Sequence, residues 1–500
     1  MNRILSSFAL TPCALALSLW AVGSAHAAPP SSPSSPSSPS SPANTQAIEA
    51  LRQQLDELRR SYDARIQALE TRLQQAQQAQ QAQQTLPTAS APPAGNPQPS
   101  PSPSPSPAQD MVTAVAPTTE ASASAGNRFN PNVALILSAG YNGLSKSPDN
   151  WQLGGFLPPV GEVGPGPRGF NLGESELKLS ANIDHLFYGA ITLAVSPEDT
   201  ISAEEAFVQT TALPAGLKVK AGRFYAGLGY LNEKHAHTWD FIDAPLAYQA
   251  FLGRQFKQEG LQARWVLPLD RYVELGLEVG NGHNFPGSTR DRNGAGATLL
   301  SAHTGGDVGF SNSWRAGVSW LQTRADGRSW DSIDPLDNTT TYSNSFSGRS
   351  RLWVLDGVWT WAPNGNGKVT NLKLQGEYFR RTEGGLVTFD TAGANSVDRY
   401  RSAQSGWYLQ SVYQFMPAWR VGLRHDRLDS GSNDFGINGA TLALANHNPQ
   451  RNTLLTEWAP SEYSRWRLQL VSDRSRIGSA DRQIFLQYQI SLGAHGAHGF

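Results

Sequence analysis

The chain has 500 residues, with 40 Lys and Arg against 41 Asp and Glu, a formal net charge of -1 and 16% charged residues. With no basic excess to neutralise phosphates, this balance argues against nucleic acid as a partner. The one cysteine, Cys13, lies in the N-terminal leader, so the mature chain carries no disulfide or thiol chemistry.

Residues 1–27 form the first element. Arg3 precedes an apolar run from Ile4 to Trp20, and Ala25-His26-Ala27 supplies an Ala-x-Ala cleavage site. This pattern predicts a secretory signal peptide cut after Ala27. Residues 28–44 repeat Pro and Ser and predict a disordered spacer. Within 45–84, Ile48, Leu51, Leu55, Leu58 and Tyr62 recur at steps of three and four, and Ile66, Leu69, Leu73 and Ala76 continue after a stutter. The spacing predicts a coiled-coil helix, and its shortness implies that protomers associate. Residues 85–128 are a second linker, rich in Pro, Ser and Ala.

From 129 to 500 the rhythm changes to period two. Leu177, Leu179, Ala181 and Ile183 share one face of a strand, and Glu174, Glu176, Lys178, Ser180 and Asn182 share the other. About sixteen such stretches run from 132–142 to 481–492. Their connectors alternate in length. Asp184-His185, Met416-Pro417 and Pro460-Ser461-Glu462 are short, whereas 143–170, 225–255, 324–348, 383–403 and 430–449 are long. Trp359, Trp361, Trp419, Trp458, Trp466 and Tyr488 fall near strand ends. No segment beyond the leader has the 18 or so consecutive apolar residues of a membrane helix. The expected fold is all-β, a transmembrane antiparallel β-barrel of about 16 strands preceded by the helix. Its surroundings would be the lipid bilayer of an outer membrane. An even strand count would place both termini, and the helix, in the periplasm. The chain ends on Phe500, a terminal aromatic of the kind read by the barrel-insertion machinery.

Strand parity assigns the pore lining. Glu174, Glu176, Glu205, Glu274 and Glu278 come from the first half of the barrel, and Arg315, Arg381, Arg420, Arg424, Arg465 and Arg467 from the second. Lys178, Arg264 and Asp356 also have inward parity and break this division. Opposed walls would orient charged solutes; alternatively, the charges only pair and solvate the lumen. The connector after the fifth strand carries Arg223, Lys234, Asp240 and Asp243 among Tyr225, Tyr230, Trp239 and Tyr248. A connector so long and aromatic is expected to fold inward as a constriction, or else to serve as a contact between protomers. Arg223 has lipid-side parity and would reach the pore only through a bulge. His235 and His237, near Asp240 and Asp243, are candidate metal ligands; alternatively, they are polar loop residues. No nucleophile elbow or spaced catalytic motif accompanies them, so no enzyme activity and no cofactor are expected.

The helix at 46–83, Gly222-Arg223-Phe224 leading into the long third loop, and the barrel to Phe500 resemble the phosphate-selective and DcaP-like porins. That resemblance implies a homotrimer through barrel and coiled coil. Gly-Glu-Ser-Glu-Leu at 173–177, His235-Ala-His237, Trp361-Ala-Pro-Asn-Gly-Asn366 and the Gly-Ala-His-Gly-Ala-His ending are similar to a group often labelled zinc-regulated TonB-dependent receptors. Such receptors have about 22 strands and a plug domain, whereas this chain has room for about sixteen. The leading expectation is a porin passing small hydrophilic, charged solutes by passive diffusion. A receptor or zinc-linked uptake protein, and an envelope anchor, are the rivals.

Overall fold

The computed structural model describes residues 131–493, apart from 150, 162, 197–199 and 335–338. The signal peptide, the spacer, the expected coiled coil, the linker and Phe500 lie outside the described residues. Seventeen strand segments follow in order: β1 (Asn132–Leu144), β2 (Gly169–Leu172), β3 (Ser175–Asn182), β4 (Phe187–Val195), β5 (Ile201–Thr210), β6 (Leu217–Tyr225), β7 (Lys257–Val266), β8 (Tyr272–Gly280) and β9 (Ala297–Val308). The second half comprises β10 (Asn312–Ile333), β11 (Thr341–Trp361), β12 (Asn371–Phe389), β13 (Ser396–Met416), β14 (Trp419–Asp434), β15 (Gln450–Ser461), β16 (Ser464–Asp473) and β17 (Asp481–Gly493). Segments β2 and β3 are one broken stave, because both pair with β1. The sheet therefore has sixteen staves. Each pairs antiparallel with the next, and β1 pairs with β17 from Ala134↔Gly493 to Leu144↔Gln483. Closure removes every free sheet edge, which is what lets strands cross a bilayer with their backbone groups satisfied.

The wall has the reverse of a soluble protein's polarity. Leu137, Leu261, Leu277, Leu300, Trp353, Leu409, Leu423 and Leu486 are exposed on the outside, whereas Glu278, Arg381, Asp426, Arg451 and Gln469 are buried inside. An apolar outer surface over a polar interior is the arrangement a membrane barrel requires. Aromatic side chains collect beside the short turns. Trp419 and Trp458 stack at 6.1 Å, and Trp466 and Tyr488 at 4.4 Å. Trp314 stands opposite Trp359. These amphipathic rings sit where headgroups meet acyl chains.

The strands around β10–β13 are longer than expected, at 22, 21, 19 and 21 residues. A crossing needs only about 9–11. Much of 324–348 and 383–403, expected to be loop, is strand continuing past the membrane on the long-loop side. Beyond the lipid the outward positions change to Arg324, Arg349, Arg351, Arg380 and Arg401, all exposed. The hydropathy alternation disappears there, although the hydrogen-bond ladder does not. Inside this extension Ala325, Trp330, Phe346, Val387, Tyr400 and Phe435 form an apolar cluster that supports it.

Candidate functional site

The connector between β6 and β7 lies inside the barrel. Near the end of β6, before the connector begins, Gly222 has φ +128°, and a Cβ there would fall 2.3 Å from the Ala206 carbonyl oxygen, so only glycine allows β6 to approach β5 so closely. Asn232 ties the two ends of the connector together. Its Nδ2 donates to the carbonyls of Ala226 and Phe256, each at 2.8 Å, and its Oδ1 accepts from the Phe256 N–H at 2.8 Å. Leu228, Trp239, Tyr248, Phe251 and the helix α1 (Leu246–Leu252) pack against Leu299, Leu321, Leu352, Val354, Phe379 and Tyr408 of the wall. A water-filled lumen would not present leucines and phenylalanines inward. At this level the wall is apolar where the loop covers it.

Polar contacts hold the loop to opposite sides. Its aspartates meet basic side chains: Asp240 Oδ2 lies 2.9 Å from Lys373 Nζ, and Asp240 Oδ1 lies 3.4 Å from Arg420. Asp243 pairs with Arg424 at 2.8 Å and with Arg451, and accepts from Gln469 at 2.6 Å. Arg467 donates to the Trp239 carbonyl at 2.7 Å, and Arg465 donates to the His237 carbonyl. Burial raises the Asp240 carboxyl, but Lys373 and Arg420 more than offset it and hold the group down at about 2. Midway, Glu377 accepts from the N–H of Leu231 at 3.1 Å, from Tyr248 Oη at 3.0 Å and from Tyr408 Oη at 2.7 Å.

The histidines of the loop meet the acidic side. His235 Nδ1 is 3.2 Å from Glu176 Oε2 and 3.0 Å from Glu204 Oε2, and its Nε2 is 3.0 Å from Glu205 Oε2. His237 Nδ1 is 2.6 Å from Glu176 Oε1. The two rings stack at 5.6 Å. Burial opposes the charged imidazole of His235, but Glu176 and its neighbours outweigh burial and hold it well above the usual range. Burial dominates at His237 and lowers it. Parity alone would have pointed only one of Glu204 and Glu205 inward. A bulge in β5 opposite Thr192 and Leu193 turns both into the lumen. Two adjacent carboxylates flanked by Ala203 and Ala206 were the available signal for Glu204, which the strict period-two reading missed.

The remaining expected residues fall as follows. Glu174 pairs with Arg254 of the loop. Glu278 accepts from the Gly227 N–H at 2.7 Å and from Gln262 at 2.7 Å. Arg264 pairs with Glu233 and lies 3.9 Å from Glu274, which lies 3.6 Å from His303. Arg315 lies 3.9 Å from Asp356 and over the Tyr230 ring at 5.3 Å. Lys234 lies over the same ring at 4.6 Å. Arg381 donates to the Ala250 carbonyl at 3.2 Å. Lys178 is half-buried on the inner face of β3. Arg223 does not join the loop contacts. It donates to Glu259 at 2.9 Å on the outer face, level with lipid-side Leu217 and Leu261, so no bulge reverses it and its place in a constriction is corrected. Asp240 and Asp243 do not approach the histidines as shared ligands, since the basic wall engages both.

No family model matches the chain. It is 30% identical over 397 residues, 74% of this chain and 80% of the other, to an uncharacterized protein of Aquifex aeolicus (strain VF5). Among solved structures it is similar to the outer membrane channel DcaP of Acinetobacter baumannii, at 12% identity over 72% of this chain and 97% of that one, with a TM-score of 0.44. It is also similar to an anion-selective porin from Comamonas acidovorans, at 10% identity over 72% and 99% of the two chains, with a TM-score of 0.45. The trimer form of OmpT of Vibrio cholerae gives 10% identity, the same coverages and a TM-score of 0.43. By its identity to the Aquifex aeolicus protein and the length over which it holds, the chain belongs to that protein's family.

Proposed function

We propose that this chain is an outer-membrane porin for small hydrophilic anions, with the 226–256 loop narrowing its lumen. The observation that carries this reading is which charges keep access to water. Glu176, Glu204, Glu205, Glu274, Glu278 and Asp356 are buried beneath partners. Lys178, Lys218, Lys220, Arg264, Arg315 and Lys373 are only half-buried, on the inner face of the short-turn half. A solute passing the loop therefore meets six half-buried ammonium and guanidinium groups against three half-buried carboxylates, Glu174, Glu233 and Asp243, each of which is paired with an arginine. Charged groups lining a narrow pore select ions by sign. Export by the signal peptide, an apolar outer belt and a closed barrel support an outer-membrane setting, with both termini in the periplasm. The heptad seam at 45–84 supports assembly of protomers; that they form a homotrimer joined through barrel and helix rests on the resemblance to the DcaP-like porins.

Planar-bilayer recording tests the proposal. Stable ohmic steps and a reversal potential on the anion side under a salt gradient are expected. Lys178→Gln with Lys220→Gln should move that potential toward cations, more so in dilute salt, because charges are screened beyond about 10 Å at 0.1 M. Absence of conductance from correctly folded protein would overturn the porin reading, and an unmoved potential would overturn the anion preference.

A further inference from the structure

Two motifs of the sequence, Glu174-Ser175-Glu176 and His235-Ala236-His237, stand 59 positions apart yet meet inside the barrel. One donor atom from each of Glu176, His235 and His237 lies within 4.8 Å of the other two. Their contacts with one another and with Glu204 measure 2.6, 3.0 and 3.2 Å. Donors bound to one tetrahedral ion at 2.0–2.2 Å stand about 3.3–3.6 Å apart, so side-chain shifts of roughly an ångström, opening the Glu176–His237 pair and drawing the wider pairs in, would admit one. We propose that Glu176, His235 and His237, with water completing the shell, form a binding site for a divalent transition-metal ion, beside which Glu204 stands 3.0 Å from His235.

The surroundings favour a ligand role over a simple hydrogen-bonded cluster. Metal-bound histidines commonly donate their second ring nitrogen to a carboxylate, which fixes the tautomer. Here Glu205 Oε2 stands 3.0 Å from His235 Nε2, leaving Nδ1 toward Glu176 and Glu204. Tyr225 Oη donates to Glu204 Oε1 at 2.7 Å and leaves Oε2 facing the imidazole. Arg465 anchors the His237 carbonyl to the wall. Three carboxylates around a pair of imidazoles supply negative charge for a dication. The mixed imidazole and carboxylate set suits zinc-like ions rather than calcium or magnesium, which prefer oxygen alone. An ion there would join β3 to the loop and fasten it on its acidic side, as the aspartates fasten the other.

The site is tested with Zn2+ on the full mature protein in detergent, independently of transport, so its failure leaves the porin reading standing. Competition against a chromogenic chelator should give one ion per chain. His237→Gln and Glu176→Gln should each weaken binding at least tenfold, and Glu205→Gln roughly 10–100-fold as a residue that orients a ligand. His425→Ala, on the outer face, and removal of residues 494–500 should leave it unchanged. X-ray absorption of the zinc-loaded wild type should show only nitrogen and oxygen neighbours, with two imidazoles. No stoichiometric binding, retention of full affinity in a folded His235→Gln/His237→Gln protein, or a shell without imidazole would each overturn the proposal. The absorption measurement decides the matter even where the variants do not fold.

Discussion

At the scale of single residues, the lumen works by pairing charges that water would otherwise solvate. Asp243 holds Arg424, Arg451 and Gln469 together, and so joins the loop to β14, β15 and β16. Breaking a buried ion pair by removing one partner costs roughly 3–5 kcal/mol, because the other charge stays behind uncompensated. Asp426 and Asp473 still attend the two arginines, so the loss should fall at the low end of that range. Asp243→Asn keeps the shape and removes the charge. It is expected to lower the temperature at which the folded form converts to the slower-migrating unfolded form on gels, and to make single-channel current noisier as the loop loosens. A quiet, wild-type-like channel would mean that Arg467 and the apolar contacts hold the loop by themselves.

At the scale of elements, the 226–256 loop is both a plug of side chains and part of the core. Leu299, Leu321, Leu352, Val354 and Phe379 point into the lumen and are completely covered by it. Burial of each such side chain is worth about 1.5–3 kcal/mol. Replacing residues 228–254 with a short Gly-Ser bridge should therefore have two linked effects. Unit conductance should rise several-fold, measured in planar bilayers, and the unfolding temperature should fall. A larger conductance without loss of stability would show that the apolar patch on the wall contributes little. The β5 bulge is the second element that matters. It brings Glu204 and Glu205 to one face, and without it His235 would lose one of its three carboxylate partners.

At the scale of the whole molecule, the barrel is closed by backbone pairing, which does not titrate, whereas the seating of the loop rests partly on side chains that do. The Asp240 carboxyl, held at about 2, lies below its usual value of 3.8. A depressed carboxyl adds stability that is complete above the unfolded value and is lost as pH falls through the folded one. Loop seating on the basic wall should therefore persist through mildly acid solution and fail only as pH approaches about 2, while the barrel remains β-rich. Single-channel recording across that range, with circular dichroism on the same samples, checks this. A conductance change already complete at pH 5 would show that Asp240 does not govern the loop.

The barrel and its inside-out polarity were legible in the sequence, because lipid on one side and water or polar groups on the other impose period two on every crossing strand. Leu177 and Leu179 against Glu176 and Lys178 are enough to read it. Where lipid ends, that constraint ends too, and the extensions of β10–β13 were read as loop because Arg324, Arg349 and Arg401 satisfy the outer face as well as any apolar residue would below. The site was legible only in part. Inward parity identified Glu176, Glu205 and Arg424, but parity says nothing about which distant side chains meet. That His235 joins Glu176, Glu204 and Glu205, while Asp240 and Asp243 turn to Lys373 and Arg424, depends on the path of a loop through three-dimensional space. The tertiary structure decides it by matching each loop charge to the opposite charge on the wall it faces, since a buried charge left unpaired costs more than the loop gains by lying inside.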